Sequence, residues 1–347
     1  MKKIFFCLAA FAAVTVSCTR ETQLPDVPAE GIIHIKIDHG GPGSRAGTPD
    51  TSFQDYETAV QKVDILVFNE QGQLNLFYPA ETKTEDIRLS VPSGQKEIWA
   101  VINGPDLRSV VRESDLKDVL TMLEDNDVTG AGFMMAGNAS HTVMPSSEGS
   151  ECTITVRRFA ARVALTRLSV NLASPAYHEV LVKNVMLINV VANQNLAGSA
   201  APQDWYNKKG LKDNGDIIDG SWGREAECPE LTFCEVGETV VDKETLPLDT
   251  PLYFYGYPNP TAVDSYGPDG SFIEEQTRLV VTAEIDGQTT YYPVTLPSFL
   301  RNTAYEVELT IEGFGTSGPD ILPEKGVVNA SITIKEWEEG AVITETI

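Results

Sequence analysis

The chain has 347 residues and is strongly acidic, with 50 Asp and Glu against 26 Lys and Arg and a formal net charge of −24. That balance excludes electrostatic attraction to phosphate backbones or anionic lipid, so nucleic acid is not a partner. A 42% hydrophobic content over this length is enough for two cores, and five cysteines are too few and too odd for a disulfide-stapled framework.

The N-terminus, MKKIFFCLAAFAAVTVSC, places two lysines before an apolar run and ends in a small residue and Cys18. This is an export signal, too short for a membrane helix of roughly 20 residues. Its end fits a bacterial lipoprotein signal, residues 1–18, in which Cys18 is acylated, with ordinary signal cleavage as the alternative. Residues 19–45 then hold a short strand, GIIHIKIDH, and a glycine-rich tether, GGPGSRAG, that carries Arg45 and Ala46. In the strand Ile33, Ile35 and Ile37 face one way and His34, Lys36 and Asp38 the other. The tether lacks bulky side chains and suits a protease cleft.

Period-two alternation continues through KVDILVF, QLNLFY, DIRLSVP, KEIWAVI, CTITVRRFAARVALTRLSV, EVLVKNVMLINVV, PLYFYGY, RLVVTAEI, TYYPVTL, AYEVELTIEG and GVVNASITIKEW. The class is all-β, with two β-sandwich domains in tandem, Greek-key or transthyretin-like, and one or two short helices. The helical candidate is 106–124, where Leu107, Val110, Val111, Leu116, Val119, Leu120 and Leu123 repeat near helical spacing. Segment 152–172 is expected to close the first sandwich, residues 46–173, leaving 174–347 for the second. The tail beyond Trp337 ends in Ala341–Ile347, where Val342, Ile343 and Ile347 are apolar but Glu345 shares the Ile343 face.

Chemistry-bearing motifs are missing. The four histidines form no HExxH pair, and no GxSxG, Walker or GxGxxG loop is present. The acidic runs EDNDVTG and DNGD lack the ligand count of an EF-hand loop and read as turns. Cys228 and Cys234 lack CxxC spacing, and with Cys152 they allow one disulfide plus one buried thiol. No catalytic residue, cofactor or metal site is expected. The aromatic loops DWYNKKG and YFYGYPNP are the places where a surface lipoprotein could bind glycans, although aromatics beside turns more often complete a core.

Several segments in order, PSGQKEIWAVING at 92–104, GFMMAGNA at 132–139, VRRFAARVALTRLSV at 156–170, TTYYPVTL at 289–296, LRNTAYEVELTIEGFGT at 300–316 and NASITIKEW at 329–337, resemble the fimbrillins of the Bacteroidales, FimA-type structural pilins of type V pili. The residues themselves read as structural: Trp99, Phe159 and Tyr305 as core fillers, and Arg158 and Arg162 as partners of carboxylates near domain edges. The resemblance implies an adhesive fimbrial subunit rather than an enzyme. It implies a lipidated (palmitate-bearing) precursor on the cell outer membrane and an arginine-specific, trypsin-like protease that cuts between Arg45 and Ala46. It further implies polymerisation with other fimbrial subunits by donor-strand exchange into the mature fimbrium. Strand 31–39 is then a placeholder, and the expected donor is the C-terminal run with Val342, Ile343 and Ile347. The alternatives are a tip or accessory subunit, a tail that stays at home as an edge hairpin, and a non-polymerising glycan-binding lipoprotein.

Overall fold

The computed structural model describes residues 29–39, 54–208, 226–266, 272–337 and 343–346. Cys18, Arg45, Ala46, Val342 and Ile347 lie outside them.

The first half contributes β1 (Glu30–Asp38), α1 (Asp55–Thr58), β2 (Val63–Asn69), β3 (Leu74–Glu81), β4 (Ile87–Pro92), β5 (Gly94–Ile102), α2 (Glu113–Lys117), β6 (Leu120–Met122), β7 (Met135–Val143), β8 (Ser150–Thr155) and β9 (Arg157–Arg158). The sheet β4-β1-β8 faces the sheet β3-β2-β5-β7-β9. Alternate residues of both sheets, among them Ile33, Ile35, Leu89, Ile65, Ile98 and Ile154, fill one apolar layer between them. Strand β2 is apolar on both faces because it is covered on both. Its Leu66 and Phe68 join Trp99, Leu107, Leu116, Leu123 and Phe133 in a second layer outside the five-stranded sheet.

That outer layer explains why the helix expected over 106–124 shrinks to the five-residue α2. Leu107, Val110, Leu116 and Leu123 are buried, but Val111 and Leu120 of the same expected set are 65% and 52% exposed. The chain between them, however, crosses a sheet face, where β6 pairs with Asn193–Asn195 and a 3-10 turn follows at Leu123–Asp125. Competing ladder bonds and the β-branched Val110-Val111 pair win over helical periodicity.

The second half contributes β10 (Ala161–Val170), β11 (Glu179–Ile188), β12 (Val190–Val191), β13 (Asn193–Asn195), β14 (Trp205–Tyr206), α3 (Pro229–Thr232), β15 (Phe233–Val241), β16 (Leu252–Gly256), β17 (Ser265–Tyr266), β18 (Phe272–Glu274), β19 (Arg278–Ile285), β20 (Gln288–Thr295), β21 (Thr303–Ile311), β22 (Val328–Glu336) and β23 (Ile343–Thr346). The sheet β16-β10-β21-β22-β23 faces β15-β11-β19-β20. Val163, Leu165, Val182, Val281, Tyr292, Val307 and Ile332 are among the residues packed between the two.

The crossover between sandwiches differs from the expectation. Strands β8 and β9 stay in the first sandwich, but β10 pairs antiparallel with β16 and parallel with β21 in the second. The chain therefore changes sandwich at Phe159-Ala160 rather than near 173. One continuous run, CTITVRRFAARVALTRLSV, hides two strands: Cys152, Ile154 and Val156 enter the first core from even positions and Val163 and Leu165 the second from odd ones, with no Gly or Pro between to mark the change.

Candidate functional site

Strand β1 is the middle strand of its sheet. β1 runs antiparallel to β4, from Glu30 opposite Pro92 to Ile35 opposite Ile87, and parallel to β8, from Ile33 beside Ser150 to Asp38 beside Thr155. Further backbone bonds run from Ser93 N to Ala29 O at 2.7 Å, from Ile37 N to Thr84 O at 2.7 Å and from Val156 N to Asp38 O at 2.9 Å. Ile33, Ile35 and Ile37 are at most 2% exposed, as their alternation requires. Lys36 stands on the solvent side, 3.4 Å from Glu85. Cys152 lies beside Ile35 in the ladder as a buried free thiol, its pKa raised first by burial and then by Glu97. Cys228 and Cys234 are also free thiols, so the one disulfide that the cysteine count allows is not formed among the described residues.

The chain enters the rest of the molecule through a buried charged junction between the sandwiches. α1 supplies Glu57, fully buried, whose carboxylate accepts from Tyr255 Oη at 2.7 Å, Arg162 Nη1 at 3.0 Å, Gln54 N at 3.0 Å and Trp337 Nε1 at 3.4 Å. Arg158 donates from Nε to the Glu57 carbonyl at 2.8 Å and lies 5.0 Å from the Trp337 ring centre. Trp337 stacks on Tyr255, and Tyr255 in turn shares a 3.0 Å hydroxyl contact with Tyr56. Burial, then the Glu57 carboxylate, raises the Tyr255 pKa, so its phenol stays a donor. Burial next to Arg158 lowers the pKa of His39, at the end of β1.

The remaining motif residues clamp the crossover. Arg301 donates from Nε to Arg158 O at 2.9 Å and from Nη2 to Arg157 O at 2.8 Å, with its guanidinium over Phe159. Burial, with Arg157 adding to it, pushes the Arg301 pKa down to about 10. Asn302 Oδ1 accepts from Arg158 N at 3.1 Å, and Tyr305 Oη donates to Ser298 O at 2.6 Å. Arg162 meets a carboxylate as its sequence context suggests, although that partner lies 105 residues earlier. Glu57, Tyr255, Trp337 and Gly31 were not singled out from sequence, and only the Gln54-x-x-Glu57 spacing of a helix start carries a local signal.

Other expected surfaces are occupied by packing. Phe254, Tyr255 and Tyr257 of the YFYGYPNP segment are buried, and Lys208 covers the ring of Trp205 at 4.3 Å. Strand β23 lies at the sheet edge, with Ile343 opposite Ile334 and Glu345 opposite Ile332.

Residues 33–167 match the model of the major fimbrial subunit protein (FimA) family. The chain is also 24% identical over 395 aligned residues to the major fimbrium subunit FimA type-2 of Porphyromonas gingivalis, with 97% of this chain and 98% of that protein covered. The chain is similar to the FimA-type fimbrillins, through the family model over its first half and through a relative aligned along nearly its whole length. It superposes on the crystal structure of a fimbrilin (FimA) from Porphyromonas gingivalis with a TM-score of 0.59 at 16% identity, over 91% and 98% of the two chains. A cell adhesion candidate from Bacteroides eggerthii gives a TM-score of 0.60 at 15% identity, over 89% and 97%. At such identities the structural likeness speaks for the fold. The likeness is to structural subunits of fimbriae rather than to enzymes.

Proposed function

We propose that the chain is a fimbrial subunit exported as a precursor acylated on Cys18, that an arginine-specific protease cuts between Arg45 and Ala46, and that the loss of β1 opens the seat for a neighbour's C-terminal segment. The observation that carries this reading is the position of β1. It is a central strand joined to the rest of the chain only through the segment that holds Arg45, so one cut removes it and leaves every other ladder intact. The two exposed edges and the apolar floor then form a template for strand addition. The donor is the tail after Trp337, whose strand β23 has a single neighbour, β22, among the described residues. Head-to-tail donation does not close on itself and yields a filament of lipid-free subunits.

The test is limited trypsin digestion of the folded precursor, with mass spectrometry of the fragments and electron microscopy over time. Filaments are expected after cleavage at Arg45 and none from Arg45→Ala or from a chain lacking 338–347. Clean cleavage that leaves only monomers refutes the stalk role and points to a tip or accessory subunit. Resistance at Arg45 removes the trigger altogether.

A further inference from the structure

The seat of β1 has a closed end. Its inward positions are Gly31, Ile33, Ile35 and Ile37, all buried. At Gly31 the floor rises: a Cβ placed there would overlap the carbonyl oxygen of Met144 and lie 2.6 Å from Val143 Cγ1. Backbone atoms line that end, so it cannot yield as a flexible side chain can. The seat therefore reads as a template with four alternate positions, no side chain at the first and apolar branched side chains at the other three.

The donor tail, EEGAVITETI from 338 to 347, offers two alternate sets. One is Ala341, Ile343, Glu345 and Ile347, which brings a Cβ to the closed end and a carboxylate to the place of Ile35, where nothing offsets its desolvation. The other is Gly340, Val342, Thr344 and Thr346, a glycine followed by three uncharged β-branched residues. Resting on the donor-strand reading above, we infer that the tail enters in the direction of β1 with Gly340 at the place of Gly31 and Val342, Thr344 and Thr346 turned into the groove. Ile343, Glu345 and Ile347 then take the outward places of His34, Lys36 and Asp38. This divides the expected donor residues between two faces, with only Val342 of the three pointing inward. Glu345 excludes the other parity in either strand direction; Gly340 is what selects the direction.

The donated strand uses the opposite parity to the one β23 sets beside the core residue Ile332 at home, where Glu345 and Ile343 lie opposite Ile332 and Ile334. The tail is turned over as it moves between subunits. Glu345, once in place, comes to the position from which Lys36 reaches Glu85.

Synthetic peptides of residues 338–347 added to trypsin-processed full chain, with filament growth followed by light scattering, test the assignment. The native peptide is expected to cap the seat and inhibit growth. The Thr344→Asp and Gly340→Val peptides should need at least about tenfold more for the same inhibition, because each forces a buried charge or a backbone clash. Ile343→Asp should stay within about threefold of the native peptide, since its side chain faces water. An inactive Ile343→Asp peptide beside an active Thr344→Asp one overturns the face, and an active Gly340→Val peptide overturns the register. A native peptide without effect overturns the assignment as a whole. The donor-strand reading has its own arm: if full chain lacking 338–347 still polymerises after processing, that reading has failed, whereas loss of growth together with a reversed peptide pattern rejects only the inference.

Discussion

If β1 is a placeholder, its side chains stabilise the precursor and contribute nothing to the filament. Ile35 is the sharpest probe, because it is 2% exposed at the centre of the strand, between Ile87 and Cys152. Ile35→Ala removes three buried carbons from a site whose walls are two ladder neighbours and the facing sheet, so the precursor should lose about 2–5 kcal/mol of stability. The thiol of Cys152 reports the same event locally. If alkylation of Cys152 requires β1 to detach, even the lower figure corresponds to roughly a 30-fold faster reaction in the variant. The assay pairs urea unfolding of precursor and filament with mass-spectrometric alkylation of Cys152 in both. Filaments grown from the variant should match the wild type in urea midpoint and in Cys152 protection, because residue 35 has left with the cut. A filament destabilised as much as the precursor would mean that β1 persists in the assembly, and the placeholder reasoning would be wrong.

Three further outcomes follow from the geometry. Gly31→Val should keep β1 from seating, so that Cys152 is alkylated in the uncut precursor at a rate close to that of processed wild type; protection equal to wild type would show that the Met144 backbone yields. Glu57→Gln removes the carboxylate charge 3.0 Å from buried Arg162, and the expected cost is about 3–5 kcal/mol in chemical unfolding, recovered in part when Arg162 is replaced by Met in the same chain. Glu275 is buried with Arg278 Nη1 3.7 Å away and, among the described residues, no hydrogen bond to either carboxylate oxygen, and burial pushes its pKa up to about 7. Because the folded value is raised, this contribution to stability is complete below the ordinary value of 4.5 and is lost as pH rises through about 7. The wild-type urea midpoint should therefore fall between pH 5 and 8 more steeply than that of Glu275→Gln, and equal slopes would reject the assignment.

The strand pattern was legible wherever one face of a strand is wet. GIIHIKIDH alternates cleanly, and β1 buries the three isoleucines that this alternation selects. Legibility failed where a sheet is covered on both sides. Leu107, Val110, Leu116 and Leu123 have the spacing of a helix face, yet they are spent on the outer surface of β2 and β5, with ladder pairing at β6 interrupting the helix. The run 152–170 conceals the crossover because no Gly or Pro marks the change of core at Phe159-Ala160, and Arg157, Arg158 and Arg162 around it do not break the strand pattern. Trp99, Phe159 and Tyr305 are buried as expected, but Trp99 packs in the outer layer and donates to Glu113 rather than filling the gap between the sheets. The junction is the least legible part. Glu57, Arg162, Tyr255 and Trp337 meet from positions up to 280 residues apart, and no local pattern announces a contact of that range.

The position of β1 also bears on why a donated strand can be thermodynamically competent although its inward residues are smaller. At home β23 is registered against four residues of one neighbour. In the seat, a strand is registered against six residues of β4 and six of β8, with both faces of its backbone inside ladders. Two threonines and a valine recover less apolar burial than three isoleucines, since each missing methylene is worth about 0.8 kcal/mol. The compensation lies in the floor and the two edges, which are costly to leave open once β1 has gone. It follows that the tail cannot compete with β1 while β1 is covalently present at high effective concentration. Under the proposed exchange, cleavage at Arg45 would change that comparison by removing the better ligand and leaving the weaker one to bind. Under the same proposal a placeholder on an edge would leave only one ladder to recover, whereas the central position of β1 offers a modest donor sequence two.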